Sequence, residues 1–89
     1  MSYTINVGKR VRKAMARFPH QDQLRIRDKL RELAENPRPV GCVAVKNAEN
    51  RWYRVRVGDY RIVYTVHDDE QAVAVMLVGR RNESIYKEL

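Results

Sequence analysis

The sequence predicts an α+β domain: a small, mostly antiparallel sheet packed on an N-terminal helix hairpin, with a short C-terminal helix. Three observations lead there. Apolar residues recur at helical spacing over residues 7–18 and again over 26–34, the period changes to two on either side of Gly58-Asp59, and 89 residues suit one domain with little to spare. Each helical stripe is too narrow to be buried all round, so both need a sheet face to cover them.

The hairpin is the sharpest of these elements. Trp52-Tyr53-Arg54-Val55-Arg56-Val57 and Tyr60-Arg61-Ile62-Val63-Tyr64 flank Gly58-Asp59, and Gly at the first central position of a two-residue loop suits a type II′ turn. Counting outward from the turn pairs Val57 with Tyr60, Arg56 with Arg61, Val55 with Ile62, Arg54 with Val63 and Tyr53 with Tyr64. One face then carries Tyr53, Val55, Val57, Tyr60, Ile62 and Tyr64 and packs on the helices; the other carries Arg54, Arg56 and Arg61. Like charges directly opposite weaken a hairpin by up to about 1 kcal/mol, so Arg56 against Arg61 calls for an anion to offset the repulsion. A plain solvated face is the alternative, with arginine stems lying on apolar surface and heads in water. Between Arg51 and Arg61 the only carboxylate is Asp59, in the turn, and this favours a surface that reads phosphate.

The remaining elements follow from period and punctuation. Residues 3–7 alternate and predict a short first strand. Val7, Val11, Ala14, Met15 and Phe18 then form a helical stripe, with Lys9, Arg10, Arg12, Lys13 and Arg17 outside it, and the helix ends before Pro19. A second helix opens over residues 19–23, buries Ile26, Leu30, Leu33 and Ala34, and leaves Arg25, Arg27, Asp28, Lys29, Arg31 and Glu32 largely outside. Asn36-Pro37 stops it, because the proline ring disfavours helix at the residue before. Residues 42–45 read either as a short strand or as an extended connection, and residues 46–51 as a polar loop. After an acidic turn at residues 67–71, residues 72–78 are apolar on both faces and predict a strand sheltered on both sides, left at Gly79. The chain closes with a helical turn or two.

Charge narrows the partners. With 18 Lys and Arg against 11 Asp and Glu the formal charge is +7, which suits nucleic acid, an acidic protein or an anionic surface. The longest apolar run, residues 72–78, is far below the roughly 20 residues of a spanning helix, and no apolar leader is present, so no membrane partner and a cytoplasmic protein are expected. A single cysteine, Cys42, excludes an internal disulfide. Together with the isolated His20 and His67 it offers no metal-ligand spacing, and no cofactor is expected.

The basic helix hairpin ending in Asn36-Pro37-Arg38-Pro39, the run Tyr53 to Tyr64, and Val78-Gly79-Arg80-Arg81 before Tyr86 resemble the RelE family within the RelE/ParE superfamily, over nearly the whole chain. The resemblance implies a toxin of a type II toxin-antitoxin pair that enters the ribosomal A site and cuts mRNA without a metal. The ribose 2′-hydroxyl attacks the adjacent phosphate, leaving a 2′,3′-cyclic phosphate and a 5′-hydroxyl. It also implies a cognate antitoxin, with which the toxin forms a hetero-oligomer. By resemblance the basic strand pair falls on Arg54 and Arg56, the phosphate-holding arginine on Arg61, the general acid on Arg81 and the base-stacking ring on Tyr86. The RNA-binding set is Arg54, Arg56, Arg61, Arg80, Arg81 and Lys46. Fixed guanidinium donors can stabilise the charge that develops in such a reaction, and single-stranded RNA recognition commonly stacks a base on an aromatic ring. Core packing is the competing role for Tyr86.

The best-known member carries lysines where this chain has Arg54 and Arg56. Arginine keeps its proton to above pH about 12, so the identity of the general base stays open. The alternatives are a ParE-like toxin, which acts on DNA gyrase without cutting RNA, and a basic binding module without catalysis. Arg81 and Tyr86 favour the ribonuclease.

Overall fold

A computed structural model describes residues 2–45 and 52–80. Its elements are β1 (Thr4–Val7), α1 (Lys9–Met15), α2 (His20–Glu35), β2 (Val43–Ala44), β3 (Trp52–Val57), β4 (Tyr60–His67), a 3₁₀ turn at Asp68–Glu70 and β5 (Ala72–Arg80). The strands form one sheet in the order β1-β5-β4-β3-β2, antiparallel except for the parallel pair β1 and β5. This is the α+β architecture that the sequence predicts. The C-terminal helix falls in residues outside those described.

The helix hairpin is set by its punctuation. The first helix is shorter than its apolar stripe. After Met15 the backbone tightens into bonds spanning three residues, Arg17 N–H to the Ala14 carbonyl (3.2 Å) and Phe18 N–H to the Met15 carbonyl (3.0 Å), as helix ends often do. Pro19 then caps α2, its carbonyl accepting from the N–H groups of Asp22 and Gln23. In α2, Ile26, Leu30 and Leu33 are buried at spacings of four and three and cover the sheet. Asn36, held extended before Pro37, ends the helix as expected.

The core lies between these helices and one face of the sheet, where Val55, Val57, Tyr60, Ile62 and Tyr64 are buried and Tyr53 packs at the margin. Tyr64 is fully buried, yet its hydroxyl donates a 2.7 Å hydrogen bond to the Pro37 carbonyl, so that hydroxyl is not stranded. The ring also stacks beside Tyr53 at 5.9 Å. Two further ties close the ends of the sheet. At one, Arg38 donates two bonds to Asp68 (2.8 and 3.2 Å) and one to the Tyr53 hydroxyl, while Tyr3 donates to the same Asp68. At the other, Tyr60 donates to Asp22 (3.0 Å) and lies against the Phe18 ring.

The last strand departs from the sequence reading in two ways. It runs through Gly79 to Arg80 rather than ending at Gly79, because β4 begins at Tyr60 and offers partners that far: Arg61 pairs with Gly79 and Tyr60 with Arg80. It is also not sheltered on both sides, since Met76 is 40% exposed while Val73 and Val75 are buried. The pairing explains the unbroken apolar run. Val63 pairs with Leu77 and Tyr64 with Val75, leaving Met76 as an extra residue, so the alternation changes sides there. Val73 and Val75 before the bulge and Val78 after it all face the core. Residues 43–44 settle as a two-residue strand, paired with Tyr53 and Arg54.

Candidate functional site

The turn and its register come out as the alternation requires. Gly58 has φ +56°, whereas Asp59 is not among the residues with positive φ, which fits a type II′ turn and excludes type I′. All five expected pairs form, among them Arg56 with Arg61 and Arg54 with Val63. In a two-residue hairpin the pair next to the loop is hydrogen-bonded, so the following pair, Arg56 and Arg61, is of the other kind, with its side chains closer together. The backbone N–H and C=O of Arg56 accordingly point away from β4, towards the edge of the sheet. Among the described residues, β2 pairs with β3 only at Tyr53 and Arg54, short of Arg56.

An open cleft of about 370 Å³ lies against this edge. Arg54, Arg56 and Arg61 line it from the hairpin, Lys29 from α2, and Val40 and Val43 form an apolar fringe. Arg56 is exposed, and Arg54 and Arg61 are half-buried. The Nε of Arg61 is buried with no acceptor among the described residues, although the residue makes other interactions. No carboxylate is among the described residues lining the cleft. Four cations on one concave wall attract an anion, and the planar, donor-rich guanidinium suits phosphate oxygens in particular. Among the described residues, no group of three His, Cys, Asp or Glu is placed to hold a metal ion.

The structure therefore gathers Arg54, Arg56 and Arg61 as the sequence predicts. Arg80 goes elsewhere: it pairs with Tyr60, and its guanidinium lies 5.8 Å from that ring's centre on the helix side of the sheet. Lys46, Arg81 and Tyr86 lie outside the described residues. Lys29 is the residue that sequence reasoning missed. Periodicity puts it on the outside of α2, and only the packing of α2 against β3 brings it to the cleft.

A helix hairpin backs a five-stranded sheet, with an arginine-lined cleft at the β3–β4 hairpin. The family described as "ParE toxin of type II toxin-antitoxin system, parDE" matches residues 8–85, and the chain belongs to it. "Putative toxin RelE1" of Methanocaldococcus jannaschii is 28% identical over 89 residues, covering 98% of each chain. Among solved structures, a chain of the archaeal RelE-RelB complex from Pyrococcus horikoshii OT3 superposes with a TM-score of 0.82 at 24% identity, covering 94% of this chain and all of that one. The free E. coli toxin RelE, in a form with two arginine-to-alanine substitutions, gives 0.81 at 24% identity over 99% and 93% of the two chains. At that identity the likeness is one of fold. No helix among the described residues is long and apolar enough to cross a membrane.

Proposed function

We propose that this protein is a RelE-type toxin: a ribosome-dependent endoribonuclease that cuts mRNA in the A site and so stops translation. The observation that carries this reading is the convergence of Arg54, Arg56 and Arg61 on one cleft whose described lining includes no carboxylate. In the proposed reaction the ribose 2′-oxygen passes its proton to Tyr86 or to a group of the ribosomal RNA and bonds to the adjacent phosphorus, the bond from phosphorus to the 5′-oxygen breaks, and that oxygen takes up a proton from Arg81. The products are a 2′,3′-cyclic phosphate and a 5′-hydroxyl.

Negative charge grows on the phosphate oxygens along this path, and pre-positioned guanidiniums stabilise it more in the transition state than in the ground state. Arg61 holds the phosphate, Arg54 and Arg56 neutralise it, Arg81 supplies the proton to the departing oxygen, and Tyr86 stacks on a base. Neither Arg54 nor Arg56 can serve as the base, so on this reading those two arginines act by charge and position. Lys46 extends the cationic track. Arg80, on the far side of the sheet, acts outside this cleft.

The partners on this reading are the ribosome with its mRNA, in the cytoplasm, and a cognate antitoxin that forms a hetero-oligomer with the toxin. Related folds occur in complexes named RelE-RelB, and a +7 chain suits an acidic, partly disordered partner that folds as it binds. A second reading, poisoning of DNA gyrase, is favoured by the ParE description of the matching family. The ends of the cut RNA test the chemistry: 5′-hydroxyl ends accept label from polynucleotide kinase directly. Ends that need prior dephosphorylation would rule out attack by the 2′-hydroxyl.

A further inference from the structure

The α2 surface carries two intrahelical ion pairs of unlike setting. Arg31 and Asp28, 3.7 Å apart, are 81% and 75% exposed and face solvent. Lys29 and Glu32, 3.0 Å apart, are 22% and 51% exposed, so the lysine lies largely covered while its partner does not. Lysines are ordinarily among the most exposed residues. Lys29 sits beside the buried stripe of Ile26, Leu30 and Leu33, and its side chain forms part of the wall that Arg54, Arg56 and Arg61 complete from the hairpin. Among the described residues, the ammonium thus stands at the cleft with the Glu32 carboxylate as its ion-pair partner.

We propose that Lys29 is a phosphate-binding residue of the RNA cleft, contributed by α2, and that Glu32 competes with the RNA for it. This rests on the ribonuclease reading above. The cleft volume of about 370 Å³ falls within the roughly 300–1,000 Å³ of small-ligand sites, enough for about one nucleotide. Arg61 and Arg56 engage the phosphate at the reacting position. Lys29, contributed by α2 rather than by the strands, meets a neighbouring phosphate of the same strand and holds the RNA in place. Its ammonium exchanges one anionic partner for another, so the pair with Glu32 sets a threshold for RNA entry.

The test uses the full chain and a short fluorescein-labelled single-stranded RNA whose riboses are 2′-O-methylated, with anisotropy followed against salt. Lys29→Gln weakens binding about five-fold and reduces the slope of log K against log salt by about 0.7, the loss of one phosphate contact, while Lys29→Arg restores both. Glu32→Gln tightens binding by up to about five-fold, and in the Lys29→Gln background that gain falls to the level of Asp28→Asn, which removes an equal charge from the other pair. Arg31→Gln is the matched cationic control and changes affinity less than about two-fold. A Lys29→Gln protein with parental affinity and slope, or a Glu32→Gln gain no larger than that of Asp28→Asn, overturns the inference. So does a parent protein that fails to bind the oligonucleotide. If that parent still cuts mRNA on ribosomes, the ribonuclease reading stands without Lys29; if it does not cut, both fall.

Discussion

Arg56 and Arg61 are cross-strand partners in the β3–β4 hairpin, two like charges placed where side chains of an antiparallel pair come closest. Such a pair works against folding, and on the proposed reading it serves an anion. Arg56→Gln should therefore leave the fold intact and raise stability by about 0.2–1 kcal/mol, read from the urea midpoint at unchanged slope. The same substitution should cost most of the RNA cleavage. A midpoint well below the parent's would make Arg56 a structural residue.

The opposite face behaves in reverse. Ile62 pairs with Val55 beneath the helices and is fully buried. Truncation to alanine should lose about 2–5 kcal/mol through the cavity it leaves. Calorimetry should place Ile62→Ala far below Arg56→Gln in melting temperature, and near-equal values would contradict the division of the hairpin into a core face and a cationic face.

That division was legible in the sequence because it is local. Gly58-Asp59 sets the loop, and everything within six residues of it follows from a period of two. The helix hairpin was legible for the same reason, through Pro19 and Asn36-Pro37. What could not be read depends on partners distant along the chain. The parallel pairing of β1 with β5 joins Thr4 to Ala72, and no local pattern announces it. The bulge at Met76 makes one continuous apolar run out of two alternating segments, which imitates a strand buried on both faces. Lys29 enters the cleft only because α2 rests on β3, and Arg80 leaves the cationic face only because it pairs with Tyr60.

Tyr64 links stability to alkaline pH. Burial above all raises its pKa well beyond that of a free tyrosine. In the unfolded chain the phenol ionises near pH 10, while in the fold it stays protonated and bonded to the Pro37 carbonyl. The stabilisation is complete below pH about 10 and is lost as pH rises through the folded-state value, because the unfolded state releases the proton first. Tyr64→Phe should cost about 1–3 kcal/mol at pH 8 by leaving that carbonyl without its donor. The gap between the two proteins should shrink above pH about 10. A gap that stays constant to pH about 12 would show that this phenol titrates alike in both states.

Gly58 carries the strain of the turn. A Cβ there would meet only the Arg25 guanidinium tip at 3.5 Å, an ordinary contact, so space is not the obstacle. The obstacle is φ +56°, and Gly58→Ala should lose about 1–2 kcal/mol for conformation alone. Gly58→Asn should lose less, because asparagine tolerates positive φ. Equal losses in equilibrium unfolding would point to a different turn geometry.

Whether the arginine cleft cuts ribosome-bound mRNA is read by primer extension on a message under translation in a purified system, with parent and Arg61→Ala proteins side by side. New 5′ ends inside A-site codons are expected with the parent and none with Arg61→Ala. Intact mRNA, with gyrase-DNA cleavage complexes accumulating in a parallel supercoiling reaction, would contradict the ribonuclease reading.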